Sequence, residues 1–403
     1  MNSLMYALIE ALRCHRWLRL LACAFIFTSL GNGLTQIVVF GLLLQWAAPP
    51  TLLTLAFLFA TLPGFIGSML GEKLCLRFSP VALLGFTELL GLLALLFPLF
   101  GVNNHSIPAL LAVQSTEALL NGMSWPTLTL LLKRGLSEKE LPAATCFENV
   151  IFASQVLLGT GLGVVLFHQI PVLALLAIDA VSFLGSLLLL LLAGRIFAAR
   201  TPPFPDESMS SVTLRWQTLS TRQKRSLLLL PALAAVGSPA MALLPALAQQ
   251  IQPDDAAGLA LPLLFARSLG QLCGPMLLKR DSPSRFFAKT PLLLLCLVVF
   301  LAAYGVIPLF SGWMACALGT IFVAHLASNV VYAAGTFGVL SHFEAAQISS
   351  ASGKAWRWQM ASASLFTGIA AVSASRFGAA YALYGVSTGA LLLVALMLSR
   401  YRE

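Results

Sequence analysis

The feature that most constrains this chain is a series of long apolar runs, each of about twenty residues or more. Twelve can be marked. They cover 20–46, 50–71, 80–100, 107–132, 141–167 and 170–194 in the first half, then 226–250, 256–278, 290–309, 312–337, 349–372 and 377–398 in the second. Hydrophobic residues are 59% of the chain and charged ones 10%, so a soluble fold would lack the polar residues to cover its own core. Lipid offers the backbone no hydrogen-bond partner, and a run of this length satisfies its own peptide groups by coiling. A barrel strand would alternate over about ten residues instead. The reading is an all-α polytopic membrane protein with twelve transmembrane helices.

The remaining charges are sorted by side. Lys73 and Arg77, Lys133 to Lys139, Arg195 to Arg225, Lys279 to Lys289 and Lys354 fall in alternate connections, on one side with both termini. The other connections, such as "QWAAPP", "GVNNHSIP" and "QIQPDDAA", hold almost none, and only Arg267 and Arg376 of the 24 basic residues break the pattern. Basic loops remain cytoplasmic, so both termini are expected in the cytoplasm, as an even number of spans also requires. The net charge of +9 is therefore a topology signal and not a footprint for nucleic acid. Arg13, Arg16 and Arg19 precede the first run as in a secretory signal. Its apolar core is longer than a signal's and no small-residue cleavage site follows promptly, so it reads as a span. The seven cysteines are scattered, without Cys-x-x-Cys spacing, and read as small packing residues rather than a disulfide framework or metal site.

One phrase occurs twice. "GSMLGEKLCLRFSP" begins at Gly67 and "GQLCGPMLLKRDSP" at Gly270, a shift of 203 residues in a chain of 403. Gly67, Gly71, Leu74, Arg77, Ser79 and Pro80 then match Gly270, Gly274, Leu277, Arg280, Ser282 and Pro283. Both copies sit where an even-numbered span reaches a short basic turn. Each glycine pair lets two helices approach closely, each arginine is placed at the headgroups, and each Ser-Pro starts a helix. The repeat predicts two six-helix bundles of like orientation, residues 1–194 and 226–403. Residues 195–225 form a cytoplasmic linker whose "VTLRWQTLSTRQKR" is expected on the membrane surface.

Helical spacing gathers the polar residues of the spans into stripes. The first span carries Ser29, Asn32 and Gln36; the fourth Gln114, Glu117, Asn121 and Ser124; the tenth His325, Asn329, Tyr332 and Thr336. The eighth offers Arg267 with Gln271, the fifth Glu148 with Gln155. An ionised side chain at mid-span costs about 2.5–3.5 kcal/mol on insertion scales, so each demands a reason. Glu117 and Arg267 both fall about 15–17 Å from the outer ends of their helices, at mid-depth, with His325 level with them. These residues are expected to surround a polar substrate or a proton, Glu117 serving as the protonation switch. The bland alternative is a permanent Glu117–Arg267 bridge. Glu148 either lines an inward cavity or pairs with a basic turn, while Glu88 and Asp179 read as structural. Lys354 and Arg357, beside two tryptophans in "GKAWRWQ", read as interfacial anchors or as a basic cavity floor.

This pattern resembles the major facilitator superfamily over essentially the whole chain. "RWLRLLACAFIFTSLGNGLTQIVVFGLLL" resembles its first span. "LLGTGLGVVL" resembles the antiporters' Gly-Pro-x-x-Gly-Gly motif, with Gly159 and Gly163 in place but Thr160 and Val164 for the proline and last glycine. "AIDAVSFLGSLLLLL" is similar to the branch of the enterobactin exporter and macrolide-efflux proteins. The family's loop aspartate is replaced here by Gly71 or Cys75, and "EALLNGM" lacks the usual fourth-span arginine. The resemblance implies that spans one, four, seven and ten line a central cavity, helped by two, five, eight and eleven. Every stripe above falls on one of those helices. It also implies a bacterial inner-membrane secondary transporter, exporting a siderophore or drug-like compound in exchange for protons. An importer of an iron-chelate or other nutrient, a lysophospholipid flippase, and a transport-dead receptor or scaffold are the alternatives. No enzyme signature, Walker loop or cofactor motif occurs; "GTGLG" lies inside an apolar span with no strand before it. The expected partners are a small-molecule substrate, the lipid bilayer and protons, with the chain acting as a monomer.

Overall fold

A computed structural model describes residues 3–46, 59–154, 157–158, 161–167, 169–199, 214–244, 247, 256–310 and 313–401. The first set of helices is α1 (Leu4–Cys14), α2 (Arg16–Gln45), α3 (Pro63–Leu74), α4 (Pro80–Ala94), α5 (Leu96–Asn104), α6 (Ile107–Gly135), α7 (Leu141–Ser154), α8 (Leu162–Phe167) and α9 (Val172–Ala198). The second is α10 (Thr221–Ala242), α11 (Ala256–Leu277), α12 (Ser282–Ala288), α13 (Thr290–Val306), α14 (Met314–His342), α15 (Ala345–Phe377), α16 (Ala379–Ala382) and α17 (Thr388–Arg400), with a π-helical turn, Leu383–Ser387, before the last. The described residues are helical apart from turns and one antiparallel bridge between Ser3 and Lys279.

Among the described residues, seven stretches are long and apolar enough to cross a membrane: Arg16–Leu43, Pro80–Asn104, Val172–Ala198, Thr221–Ala242, Thr290–Leu309, Met314–His342 and Ala379–Arg400. The chain is a multi-pass membrane protein. α6 and α15 are as long but less apolar, and they pack against each other. Much of the exposed apolar surface lies on α4, α9, α13 and α17, which expose Phe86, Leu89, Leu184, Leu188, Leu295, Leu392 and Leu396, and α15 adds Leu365, Ile369 and Val372.

The repeated phrase is a repeated contact. A Cβ on Gly67 would collide with the Leu119 carbonyl where α3 crosses α6, and one on Gly270 would lie 2.6 Å from the Phe322 carbonyl oxygen where α11 crosses α14. The same shift of 203 residues relates both members of these pairs. Gly71 approaches the Met123 carbonyl and Gly274 abuts Asn329 in the same crossings. The Ser-Pro copies differ in outcome. Ser79 caps α4, accepting from the Ala82 N–H at 3.3 Å, whereas Ser282 and Pro283 open only the seven-residue α12.

The two sets meet at one end. At the end carrying the repeated turns, here the basic end, one apolar cluster joins Leu131, Phe147 and Ile151 to Leu278, Ala333 and Leu340. A second joins Cys75, Leu83 and Leu130 to Leu227, Val339, Phe343 and Ile348. Nearer mid-depth, Trp125 packs with Leu230 and Tyr332. At the opposite end each cluster belongs to one set: Leu34, Val38, Leu110 and Leu175 in the first, Leu244, Leu263, Ile321 and Leu383 in the second. Among the described residues, the sets are therefore sealed together at the basic end and packed separately at the other.

Helix ends and burial refine several expectations. Within residues 195–225, α9 runs on to Ala198 and α10 begins at Thr221 behind a Ser220/Gln223 capping box. "STRQKR" thus opens a span instead of lying on the surface, and Arg225 is wholly buried, donating to the Phe287 carbonyl (2.8 Å) and the Thr290 hydroxyl (2.8 Å). Of the cysteines, Cys75 and Cys146 are buried, while Cys14, Cys23 and Cys316 are exposed. Finally, the polar N-terminus folds as α1, an element the run of hydropathy does not mark. Its alternation of Leu4, Ala7, Leu8 and Ala11 on one face is buried against α7 and α11.

Candidate functional site

α2 and α6 build a polar cavity inside the first set. Ser29, Asn32 and Gln36 come from one helix, Gln114, Glu117 and Asn121 from the other, and together with Gly33, Ala60 and Ala118 they line about 100 Å³. The stripes predicted from spacing are thus brought together, with Gln36 exposed and Gln114 and Glu117 buried. A smaller adjoining cavity shares Asn32, Glu117 and Asn121 and reaches Glu88, Thr87 and Ser124. Two further acids stand behind Glu117. Glu88 accepts from the Thr28 hydroxyl at 2.9 Å; Asp179 accepts from Thr35 and, at 3.2 Å, from Ser182. The Glu117 Oε1, Gln114 Nε2, Asn32 Oδ1 and Ser29 Oγ atoms are buried without a protein hydrogen-bond partner. Such atoms call for water or a ligand.

The second set places its polar residues differently. His325 does not turn toward Glu117; its Nε2 meets the Tyr304 hydroxyl at 2.8 Å, Phe300 lies edge-on to it, and it is 1% exposed. The reason is packing: α13 supplies an aromatic pair on that face of α14. Arg267 stands within electrostatic reach of His325 and Tyr304 rather than of Glu117. No Glu117–Arg267 ion pair forms among the described residues, so the bland bridge is absent from this conformation. Asn329 donates to the Gln271 carbonyl at 2.8 Å and ties α14 to α11. Tyr332 belongs to the mid-depth seal with Trp125. Gln155 and Gly159 lie outside the described residues, while Gly163 packs α8 against Ile37 of α2.

Below the cavity, the seam between the sets is polar as well as apolar. Glu148, 2% exposed, pairs with no basic turn: it accepts from the Thr129 hydroxyl at 3.0 Å, which in turn accepts from Ser352 of α15 at 3.0 Å. Trp125 stacks on Trp356 at 4.8 Å between centroids. Arg357 reaches across to Glu72 at 2.8 Å, and the Lys354 ammonium donates to the Leu214 carbonyl. Arg357 thus joins the two sets across the seam, and Lys354 ties α15 to the connection ahead of α10. Glu72 belongs to no polar stripe in the sequence; it adjoins Gly71, one of the two positions matching the family's loop aspartate, and supplies a carboxylate near that turn. Arg77 is exposed as a headgroup residue should be, whereas Arg280 is drawn to Glu10 of α1 at 3.2 Å.

No protein-family model matches the chain. Over 74 residues it is 61% identical to an uncharacterized 29.9 kDa protein in the crtE 3′ region of Pseudescherichia vulneris. That stretch is 18% of this chain and 27% of the relative, so the chain spans about a quarter of the length of the curated relative it matches. Among solved structures it is similar to a bacterial homologue of the iron transporter ferroportin in an outward-facing state, with a TM-score of 0.71 at 14% identity over 95% of this chain and 98% of that one. It is similar to the E. coli fucose:proton symporter FucP, a TM-score of 0.64 at 13% identity over 96% and 98%. The human organic anion transporter MFSD10 gives 0.63 at 18% identity over 95% and 99%. These likenesses show a shared fold, that of the major facilitator superfamily to which FucP is assigned.

Proposed function

We propose that this chain is a secondary active transporter of a bacterial inner membrane that exports a small organic molecule in exchange for protons. Twelve spans form two six-helix bundles, residues 1–194 and 226–403 about the 195–225 connection, with both termini cytoplasmic. The observation that carries this reading is the one-sided closure: shared clusters at the basic end, separate ones at the other, and, on the first set, an unsatisfied polar cavity lined by α2 and α6. A pair of bundles rocking about such a site gives alternating access, and this conformation is the one open away from the cytoplasm. Glu117 is the protonation switch. Its carboxyl is buried without a protein donor on Oε1, so a proton stabilises it when the cavity is dry and water frees it when the cavity opens. The sixth-span likeness to the enterobactin-exporter and macrolide-efflux branch supports a siderophore-like or drug-like cargo.

Inverted vesicles holding a pH-sensitive dye test direction and coupling together. Exchange predicts that added cargo dissipates the acid-inside gradient, and that Glu117→Gln reaches the membrane in normal amount yet leaves the gradient intact. Unaltered proton-linked transport by that variant at every pH removes Glu117 as the switch. The shared fold with a fucose:proton symporter favours one second reading, an importer. It predicts uptake with protons in right-side-out vesicles and no cargo response in inverted ones.

A further inference from the structure

Besides Glu148 at the seam, the interior of the first set carries Glu88 on α4, Glu117 on α6 and Asp179 on α9; Asp179 lies within electrostatic reach of the other two, and Glu88 and Glu117 line one small cavity. Protein hydroxyls serve two of them: Thr28 donates to Glu88, and Thr35 and Ser182 donate to Asp179. The third has no such donor on Oε1, and it is the one that lines the open cavity. Among the described residues, no lysine, arginine or histidine lines that cavity or the smaller one beside it. Of the other orphaned atoms, Asn32 Oδ1 accepts, Gln114 Nε2 donates and the Ser29 hydroxyl does either. An acidic pocket with no cation among its described lining residues repels an anion, and a neutral group leaves its carboxylate without a counter-charge.

Size selects among cations. The cavity of about 100 Å³ is several times the roughly 10–15 Å³ that a single water needs. A bare sodium ion would leave most of that space empty. An alkylammonium head fills it and offers N–H donors to several acceptors at once.

We propose that this cavity binds the ammonium group of an amine-bearing cargo, with Glu117 as its counter-ion and Ser29, Asn32 and Gln114 completing the hydrogen bonds. The inference rests on the transporter reading and narrows its cargo to organic cations. It also makes cargo and proton rivals for one carboxylate, with Asp179 behind it on α9, Glu88 on α4, and only neutral polar groups facing it from α2.

Tritiated benzylamine on the full chain in lipid nanodiscs is the probe, with benzyl alcohol, benzoate and sodium chloride as competitors. The expected result is saturable binding that unlabelled benzylamine alone displaces, and that weakens as pH falls. Glu117→Gln should lower affinity about tenfold or more, and Asn121→Asp, which adds a second carboxylate to the lining, should raise it. Competition by benzoate or benzyl alcohol equal to that by benzylamine overturns the proposal. So does displacement by equimolar sodium, unchanged binding in Glu117→Gln, or no saturable binding at all. Where Glu117→Gln fails to fold, the Asn121→Asp increase decides alone. Proton-linked transport of a neutral or anionic compound without benzylamine binding overturns this inference and leaves the transporter standing. Glu117-dependent benzylamine binding in a chain that moves no cargo overturns the transporter reading instead.

Discussion

A shift of 203 residues carries Gly64 onto Arg267 and Gly122 onto His325. In the first set, those two glycines let α3 and α6 touch backbone to backbone; in the second, the same crossing holds a guanidinium and an imidazole. Duplicated scaffolds thus carry opposite chemistry at one depth, acidic in one and basic in the other. The crossings themselves depend on Gly67 and Gly270. Valine at either position should lower stability by about 1–3 kcal/mol through overpacking, and more at Gly67, where the collision is with a closer carbonyl. Thermal unfolding of the purified variants checks this. Gly368→Ala, at a helical glycine with open space around it, should leave the midpoint unchanged or slightly raised. The acid stripe of Glu117 was legible because 3.6-residue spacing places its members on one face whatever surrounds them. The burial of His325 was not, since it depends on Tyr304 and Phe300 from a helix 21 and 25 residues away in sequence.

Among the elements, α1 makes connections that span both sets. It lies along α7, its Leu4 N–H donates to the Leu278 carbonyl at 2.8 Å, and Glu10 meets Arg280. Its end is held by His15, which meets Glu140 at 2.7 Å in the turn before α7. Burial pushes the Glu140 carboxyl up, but the Ser137 N–H, His15 and the Ser137 hydroxyl together outweigh it and hold it below the usual carboxylate value. A group depressed on folding stabilises above its unfolded value, about 4.3 for glutamate, and loses that contribution as pH falls through the folded one. The attachment of α1 should therefore be insensitive to pH between about 7 and 5 as far as this carboxyl is concerned, and weaken below about 4. Protease accessibility of the α1–α2 junction reads this, and Glu140→Gln should show the weakened junction already at neutral pH. α1 escaped the search for spans because eleven residues are too few to cross a bilayer. Its apolar face becomes meaningful only against α7 and α11.

For the whole molecule, closure at the basic end is a balance between states, and the Glu72–Arg357 pair biases it. Both side chains are mostly buried, and each comes from a different set. Arg357→Glu places two carboxylates together and should shift the population about tenfold or more toward sets parted at the basic end. The exchange Glu72→Arg with Arg357→Glu should return it. Spin labels on the exposed turn residues Arg77 and Lys289 measure the separation. A double variant as parted as the single one would show that the pair does not act as a unit. Trp125 on Trp356 and the Glu148–Thr129–Ser352 chain close the same seam, so the pair tunes the balance rather than setting it alone.

Apolar run length, the 203-residue repeat and the helical spacing of polar residues are local properties, and they determined by themselves that this chain is helical, membrane-embedded and internally duplicated. They also placed Asn32 on one polar stripe and Gln114, Glu117 and Asn121 on another. Which acid is left without a donor, which histidine is enclosed, and at which end the two sets meet were decided by tertiary structure alone. Those outcomes turn on partners brought from distant helices, and a polar group's role in lipid is set by who satisfies it rather than by where it stands in the chain.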